Sequence, residues 1–374
     1  MHRRTRPLGA LRGPFSRTLA RLGLALSLAA PGTPAAIAQS DTIDPAAVLS
    51  VQGRFQGKSG KAATDLSGIA CLPPGRTGAL ECLVINDENS AAQRASLSGR
   101  TLAAGDPVPL IGGAPPAGVL GTMPAIPCPG GRDDFGEFDG EGVAFVPGVE
   151  PGTGHWYVVG SHGCSRKQGK ARLSSFLVAR VPIGQGGTLG WTELTWRLSG
   201  ALRGNPELAR WFAQPLGEQT QGLNIEGLAA VGGDLLFGLR APIAGHAFIA
   251  RVPQATLFAP GQAGSVQAEV FRVALEGGGI RDMTALPDGR LLVLSGPPQE
   301  QASVPYAIWL VEARRVEGAL PARKLGTLRD IAVGNERAKA EAITVIGREG
   351  GETRLLVLFD GLENGGPREY RVRF

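Results

Sequence analysis

The chain has 374 residues, and its 38 Lys and Arg residues against 33 Asp and Glu residues give a formal net charge of +5. Six arginines and no acidic residue lie in the first 38 positions, so the rest of the chain is close to neutral. A near-neutral chain lacks the basic surface that attracts nucleic acids and anionic membranes, and we expect neither as a partner. With 56 Gly and 28 Pro the chain is too rich in turns for a helical bundle, while 43% hydrophobic residues exclude a disordered chain.

The N-terminus has the features of a secretory signal. A short apolar run, residues 22–31 (LGLALSLAAP), follows the arginines, and residues 36–38 (AIA) have the small residues that a signal peptidase accepts. Ten residues cannot cross a hydrocarbon core of about 30 Å, which needs about 20. We therefore expect residues 1–38 to be a signal peptide and residues 39–374 to be one periplasmic or secreted domain, monomeric and not inserted in a membrane.

Four cysteines agree with an oxidising compartment, where disulfides form. Cys71 and Cys82 lie on two apolar runs joined by a Pro/Gly turn, so they can face each other across a hairpin. Four cysteines allow three pairings. The spacing favours Cys71–Cys82 and Cys128–Cys164.

An internal repeat runs through the chain. The motif reads DLSGIA at 65–70, DGEGVA at 139–144 and NIEGLA at 224–229, with weaker copies IRDMTA at 280–285 and KAEAIT at 339–344. Each copy is followed by a turn and a β-rich run. Such self-similarity is typical of a repeat architecture.

The repeat predicts an all-β fold, a β-propeller with five blades, or with six as the alternative. The terminal residues 369–374 (EYRVRF) are expected to pair near residues 48–55 (VLSVQGRF) and so close the ring. Residues 112–138 and 184–223 lengthen two repeats and are either inserted loops or a degenerate sixth blade. Residues 205–212 (NPELARWF) are predicted to form a short helix, because Pro206 falls in its first turn.

The third motif position carries an acid in four copies and Ser67 in the first. Equivalent positions of successive blades meet around the axis of a propeller, so these acids could share one mouth. Hard cations such as Ca²⁺ take several oxygen ligands, and crowded carboxylates also raise one another's pKa. Alternatively, an acid at a strand entrance accepts backbone N–H bonds and fixes the turn. The candidate metal ligands are Glu141, Glu226, Asp282 and Glu341.

A second set of side chains follows the second strand of each repeat. It comprises Asp87, His162, Arg240, Ser295 and Asp360. This variety indicates a binding mouth rather than residues that only maintain the structure of each repeat. Exposed loop residues are the alternative. Residues 133–141 add five acids, of which Glu137, Asp139 and Glu141 would share one face of an extended segment, unless the segment is a solvated acidic loop.

The chain resembles the bacterial domain-of-unknown-function family 3616 over about residues 60–360. The resemblance lies in five motifs, namely DGEGVA at 139–144, GSHGCSRK at 160–167, NIEGLA at 224–229, GLRAPI at 238–243 and IRDMT at 280–284. That family is similar to propellers that include phytase-like esterases and calcium-dependent lactonases. The resemblance thus implies a cation at the axial mouth and hydrolysis of an ester or phosphoester. Ser67 departs from a complete ring of acids.

Two functions follow as hypotheses. In the first, a Ca²⁺-assisted hydrolase acts on a small ester or phosphoester at the axial mouth, with His162 as general base and Arg240 binding the substrate's negative charge. In the second, a non-catalytic propeller uses its inserted loops, residues 112–138 and 184–223, to contact another envelope protein.

Overall fold

A computed structural model describes residues 42–73, 78–125, 128–132, 134–166, 169–261, 265–313 and 318–374. The predicted signal peptide, residues 1–38, lies outside these ranges, as does Asp133 of the acidic segment.

Short β-strands make up most of the described chain. In chain order they are β1 (Thr42–Ile43), β2 (Ala47–Val48), β3 (Ser50–Gln52), β4 (Leu66–Cys71), β5 (Leu80–Asn86), β6 (Ala91–Ser98), β7 (Thr101–Pro109), β8 (Gly130–Arg132), β9 (Gly140–Pro147), β10 (Gly154–Gly160), β11 (Lys170–Arg172), β12 (Val178–Ile183), β13 (Glu193–Thr195), β14 (Asn224–Val231), β15 (Asp234–Ala241), β16 (Ala247–Pro253), β17 (Glu269–Val273), β18 (Gly279–Ala285), β19 (Leu291–Gly296), β20 (Ala307–Val311), β21 (Ala319–Leu320), β22 (Ala322–Leu328), β23 (Ala332–Val333), β24 (Glu336–Arg337), β25 (Lys339–Glu349), β26 (Glu352–Asp360) and β27 (Arg368–Val372). The α-helices are α1 (Arg197–Gly204) and α2 (Gln254–Leu257), and the 3-10 turns are Lys58–Gly60, Leu173–Phe176, Gln185–Gly187 and Glu363–Gly365.

Five sheets of four or five strands form the blades of a β-propeller. From the axis outward, the blades are β4-β5-β6-β7-β3, β9-β10-β12-β13, β14-β15-β16-β17-β21, β18-β19-β20-β22-β1 and β25-β26-β27-β2. Each innermost strand contacts the innermost strand of the next blade, and β25 contacts β4, so the ring is closed. The prediction of five blades is confirmed, and the described residues form no sixth blade.

The N-terminal segment closes the ring from outside. Strand β2 pairs antiparallel with β27, with Ala47 opposite Glu369, which confirms the predicted closure by the chain ends. Strands β1 and β3 add parallel edges to the fourth and first blades. Pairing these edges protects them from other chains.

Apolar side chains fill the spaces between neighbouring blades. One cluster joins Ile69 of the first blade to Leu358 of the fifth, and another joins Leu292 of the fourth blade to Ile343 of the fifth. Burial of each such side chain contributes about 1.5–3 kcal/mol. Near the axis the strands approach so closely that a Cβ on Gly142 would lie 2.8 Å from the backbone nitrogen of Leu228. Glycine at this motif position therefore allows the blades to meet.

The two long repeats differ from expectation in detail. Strand β13 is the outer strand of the second blade, and α1 lies just before the predicted helix. Residues 205–213 form hydrogen-bonded turns instead, so the prediction of a helix there was wrong. Asn205 already ends α1 with an extended backbone, which interrupts helical hydrogen bonding at this point. None of the described helices is long and apolar enough to span a membrane.

Both preferred disulfides are present, Cys71–Cys82 across the β4–β5 ladder and Cys128–Cys164. The second bond links the first inserted segment to the loop that follows β10. It thereby fixes that segment beside the central opening.

Candidate functional site

Each innermost strand carries a bulged residue near its start that has no partner in the ladder with the next strand, and β25 has a second one at Ile346. A bulge turns its extra residue out of the regular alternation, so the five bulges near the strand starts mark structurally equivalent positions. These positions are Ser67, Glu141, Glu226, Arg281 and Glu341.

The fourth of these positions corrects the repeat alignment. The sequence predicted Asp282 at the acid position, but the bulge in β18 falls on Arg281, one residue earlier. Asp282 lies instead in line with the motif glycines Gly142 and Gly227. The fourth blade therefore contributes a guanidinium to the ring where the sequence indicated a carboxylate.

Asp282 joins two blades through the backbone. Its carboxylate oxygens accept hydrogen bonds from the backbone N–H groups of Met283 and Ile343, each at 2.7 Å. The side chain is fully buried, and this burial raises its pKa well above the usual range. Asp282 therefore fits the structural alternative, an acid that accepts backbone N–H bonds.

Arg281 neutralises two of the remaining ring acids. Its Nε lies 2.9 Å from Oε2 of Glu226, and its Nη2 contacts Glu341. The other oxygen of Glu226 lies 2.5 Å from Nη1 of Arg240. Glu226 is thus held between two guanidinium groups in the protein interior. Breaking one member of such a buried pair costs about 3–5 kcal/mol.

The calcium site implied by the family resemblance does not fit these residues. Glu226, Asp282 and Glu341 already bind arginines or backbone N–H groups through their carboxylates. In the described ranges, no three His, Cys, Asp or Glu side chains are grouped so that they could hold a metal ion. These residues therefore give a cation no role in the chemistry of the site.

A cavity of about 730 Å³ opens at the mouth of the ring. Its charged lining residues are Asp87, Glu137, Asp139, Glu141, Arg166, Lys170, Arg172, Arg240 and Glu300. The acids come from the first two blades, except Glu300, which lies in the loop after β19 of the fourth blade, and the cations come from the loop after β10, from β11 and from β15. Glu137, Asp139 and Glu141 all line the cavity, although the backbone at Asp139 has a φ of +56° and is not extended.

Glu141 lines this cavity. No hydrogen bond or ion pair to its carboxylate is found among the residues that the structure describes. Burial, and then the charges of Glu226, Asp139 and Asp87, raise its pKa well above the usual range. These surroundings favour the protonated form of the carboxyl group, which can then donate its proton.

Asp139 lies beside Glu141 and differs from it in its environment. The hydroxyl of Ser161 donates a hydrogen bond to Oδ2 of Asp139. Burial raises the pKa of Asp139 to about 6, and the Ser161 hydrogen bond opposes this effect. Asp139 is therefore mostly ionised above about pH 6, while burial and the neighbouring charges favour the protonated form of Glu141.

Asp87, on the first blade, adds a third carboxyl group to the cavity lining. Asp87, Asp139 and Glu141 together form the carboxyl wall of the cavity. Burial raises its pKa well above the usual range, and the charges of Asp139, Asp65 and Asp360 add to the effect. Within the described ranges its Oδ1 is buried and has no hydrogen-bond partner.

Most of the cations are paired. Arg172 binds Glu137 at 2.8 Å and also contacts Asp134, while Arg166 binds Glu300 at 2.7 Å. Arg240 also donates to the backbone oxygen of Pro298 at 3.1 Å. For the ammonium of Lys170, the described part of the chain offers no ion pair, so this group is available to a ligand.

His162 does not line the cavity. Its side chain is 0% exposed, packs on Phe176, and has its Nδ1 2.9 Å from the carbonyl oxygen of Gly160. Burial lowers its pKa to about 4, so the ring is neutral. The positive φ of 51° at this residue turns it into the core, while its neighbours Ser161 and Gly163 face the cavity. This placement speaks against His162 as the general base.

The other residues of the second set are divided. Arg240 and Asp87 line the cavity, whereas Asp360 pairs with Lys339 at 2.6 Å and Ser295 accepts a hydrogen bond from the Trp309 indole. Sequence reasoning missed the roles of Ser161, Arg166, Lys170 and Asn224 in the lining. The motifs at 160–167 and 224–229 contain all but Lys170 and were the available signal.

Residues 185–370 match the family model described as "Protein of unknown function (DUF3616)". This part of the chain belongs to that family. The DUF3616 match covers the last three blades together with the second insertion. Comparison with curated proteins gave no match.

Solved structures match the chain at low identity and with TM-scores below 0.5. A protein from Lactobacillus plantarum is 13% identical, with 84% of this chain and 72% of that chain covered and a TM-score of 0.36. An α-L-arabinofuranosidase from Podospora anserina is 10% identical, with 89% and 98% covered and a TM-score of 0.41. An α-L-arabinanase from Cellvibrio cellulosa is 9% identical, with 82% and 91% covered and a TM-score of 0.41. Likeness at these identities reaches no further than the fold.

Proposed function

We propose that this DUF3616 protein is an exported, metal-independent hydrolase that cleaves an ester or phosphoester of a small molecule in the axial cavity. One observation carries the proposal. Two neighbouring carboxyl groups, Glu141 and Asp139, line one cavity in different surroundings: Ser161 donates a hydrogen bond to Asp139, whereas no described residue pairs with the carboxyl group of Glu141, so Asp139 loses its proton more easily. Carboxyl groups whose pKa values are pushed apart are the usual acid and base of hydrolysis.

In the proposed reaction, a water molecule attacks the carbonyl carbon or the phosphorus atom. Asp139, ionised above about pH 6, takes a proton from that water. Glu141 gives its proton to the leaving oxygen as the bond to that oxygen breaks. The proton then returns from Asp139 to Glu141 through solvent, which restores both groups.

Fixed positive charges support the same step. Lys170, Arg166 and Arg240 line the same cavity as the carboxyl groups. Negative charge grows on the attacked group in the transition state, and preplaced cations stabilise it. Arg240 cannot turn away from the site, because Glu226 and the carbonyl of Pro298 hold its guanidinium.

Export is the second part of the proposal. The two disulfides support an oxidising compartment, because they persist outside the cytosol. The expected periplasmic or secreted location can be checked by fractionating cells that express the full chain.

The test is a panel of chromogenic esters and phosphoesters with Glu141→Gln and Glu218→Gln. Glu218 is exposed in the second insertion and provides the matched control. Loss of a general acid lowers kcat by about 10²–10⁴-fold. We expect this loss in Glu141→Gln alone, with both variants folded by circular dichroism. Wild-type turnover by Glu141→Gln would refute the mechanism.

A second candidate function is a non-catalytic propeller that binds another envelope protein through the inserted loops. The observation that favours it is Trp191, which is 93% exposed beside an apolar cleft of about 420 Å³. Pro109, Leu110 and Leu120 line this cleft. If this function is correct, Trp191→Ala abolishes capture of one defined protein from envelope extract, and no variant of Glu141 changes any turnover.

A further inference from the structure

Among the described residues, the buried polar atoms of the cavity lining that lack a hydrogen-bond partner are acceptors. Asn224 is only 6% exposed and lines the cavity, yet its Oδ1 has no donor within the described ranges. The same holds for Oδ1 of Asp87. A buried acceptor without a donor is costly, so a ligand that brings N–H groups gains from both atoms.

The charged groups of the cavity lining also favour a ligand that brings N–H donors and a positive charge. Arg172 pairs with Glu137, and Arg166 pairs with Glu300, so these charges largely cancel. Arg240 is balanced by Glu226 below it. Among the described residues, what remains is the carboxyl wall of Asp87, Asp139 and Glu141 together with the ammonium of Lys170. Burial, and then the charges of neighbouring carboxylates, raise the pKa of Asp87 and of Glu141, so a cation placed beside these groups favours their ionised forms.

We infer that the substrate is an ester carrying a primary ammonium group, which binds against Asp87, Asp139 and Oδ1 of Asn224. That the ligand is an ester rests on the proposed hydrolysis. An ammonium group supplies three N–H donors and one positive charge, which match the unpartnered acceptors and the carboxyl wall. Esters of amino alcohols and amino acids have this chemistry.

Two other occupants explain less. A metal ion would need a grouping of ligands that the described residues do not provide. A neutral polyol would satisfy Asn224 and Asp87 as acceptors but would leave the carboxyl wall without a counter-charge. Only a cationic donor satisfies both conditions, since buried charges are stable when paired.

The experiment compares three 4-nitrophenyl phosphodiesters that differ in one atom or group, the 2-aminoethyl, 2-hydroxyethyl and ethyl esters. Hydrolysis is followed by nitrophenolate release, and binding is followed by titration calorimetry. A hydrogen bond to a charged group is worth about tenfold or more. We expect the 2-aminoethyl diester to exceed the other two by about tenfold or more in kcat/KM and in affinity.

Two variants change this preference in opposite directions. Asp87→Asn removes from the wall a carboxyl group that can pair with an ammonium, and should reduce the ratio of 2-aminoethyl to ethyl kcat/KM by about tenfold. Asn224→Asp adds a charge and should increase the ratio, a gain that misfolding cannot imitate. Asp288→Asn, an exposed site paired with Arg290 outside the cavity lining, should leave the ratio unchanged.

The outcomes separate this inference from the proposed function. Equal turnover of the three diesters would overturn the ammonium and leave the hydrolase standing. Equal preference for the 2-aminoethyl and 2-hydroxyethyl esters would overturn it in favour of a neutral donor. Selective binding of the 2-aminoethyl ester without turnover would overturn the hydrolase and support the ammonium site. Equal or undetectable binding of all three would overturn the ammonium site.

Discussion

Arg281 lies with its Nε 2.9 Å from Oε2 of Glu226, at the ring position where the sequence repeat indicated another acid. Its Nη2 contacts Glu341 on the opposite side. One guanidinium therefore links the carboxylates of the third and fifth blades through the fourth. The protein supplies its own positive charge at the place where the family resemblance implied a metal ion.

Replacing Arg281 by Met should destabilise the protein strongly. The change leaves Glu226 and Glu341 buried with one counter-charge fewer, and we expect the free energy of unfolding to fall by about 3–5 kcal/mol. Urea unfolding measures this loss. Arg329→Met removes an exposed ion pair with Asp44 and serves as the control. Its free energy of unfolding should be close to that of the wild type. A stable Arg281→Met protein would show that the pairs are not structural.

Calcium should not stabilise the wild-type protein. Three of the four candidate ligands, Glu226, Asp282 and Glu341, have carboxylates that are paired with guanidinium or backbone N–H groups, which leaves Glu141 alone, and Ca²⁺ takes several oxygen ligands. Thermal melting with excess Ca²⁺ and with chelator should give the same midpoint, because an ion that does not bind the native state shifts nothing. A rise of several degrees with Ca²⁺ would contradict the assignment of these side chains.

Asp139 should make the protein less stable as the pH rises. Its folded-state pKa of about 6 lies above the usual 3.8, so the folded protein binds more protons than the unfolded chain between these values. The stabilisation is complete below about pH 3.8 and is lost as the pH rises through 6. The loss is at most about 3 kcal/mol. Urea unfolding between pH 4 and 7 should show a steeper fall in the wild type than in Asp139→Asn.

His162 should be dispensable for turnover. The ring is buried and neutral, outside the cavity lining, and Asn tolerates the same positive φ. We expect His162→Asn to keep kcat within about tenfold of the wild type, against the larger loss that removal of a general base causes. A loss as large as that of Asp139→Asn would restore His162 as the base.

The blade architecture could be predicted from the sequence because the motif and its following strand recur with local signals. The pairing of Cys71 with Cys82 and the closure of the ring near Val48 follow from the same regularity. The register of the innermost strand in the fourth blade was predicted wrongly by one residue. Asp282 matches the motif by residue type, but the bulge at Arg281 depends on how β18 meets β19, and a shift of one residue moves a side chain to the other face.

The cavity could be predicted only in part. Glu141, Asp87 and Arg240 stand at repeat positions and were found. Arg166 lies in the loop after β10 and Lys170 begins β11, both close in sequence to Cys164 of the Cys128–Cys164 bond, and no periodicity indicates where such a segment lies. His162 was misplaced because strand alternation ends before it, where the backbone φ becomes positive.

The pH dependence of kcat/KM for the wild type and for Asp139→Asn tests the acid–base pair most directly, using an ester with no titration in the range. We expect the wild-type profile to rise through about pH 6 as Asp139 ionises and to fall at higher pH as Glu141 loses its proton. The rise should disappear in Asp139→Asn. An unchanged rise near pH 6 in that variant would contradict the account.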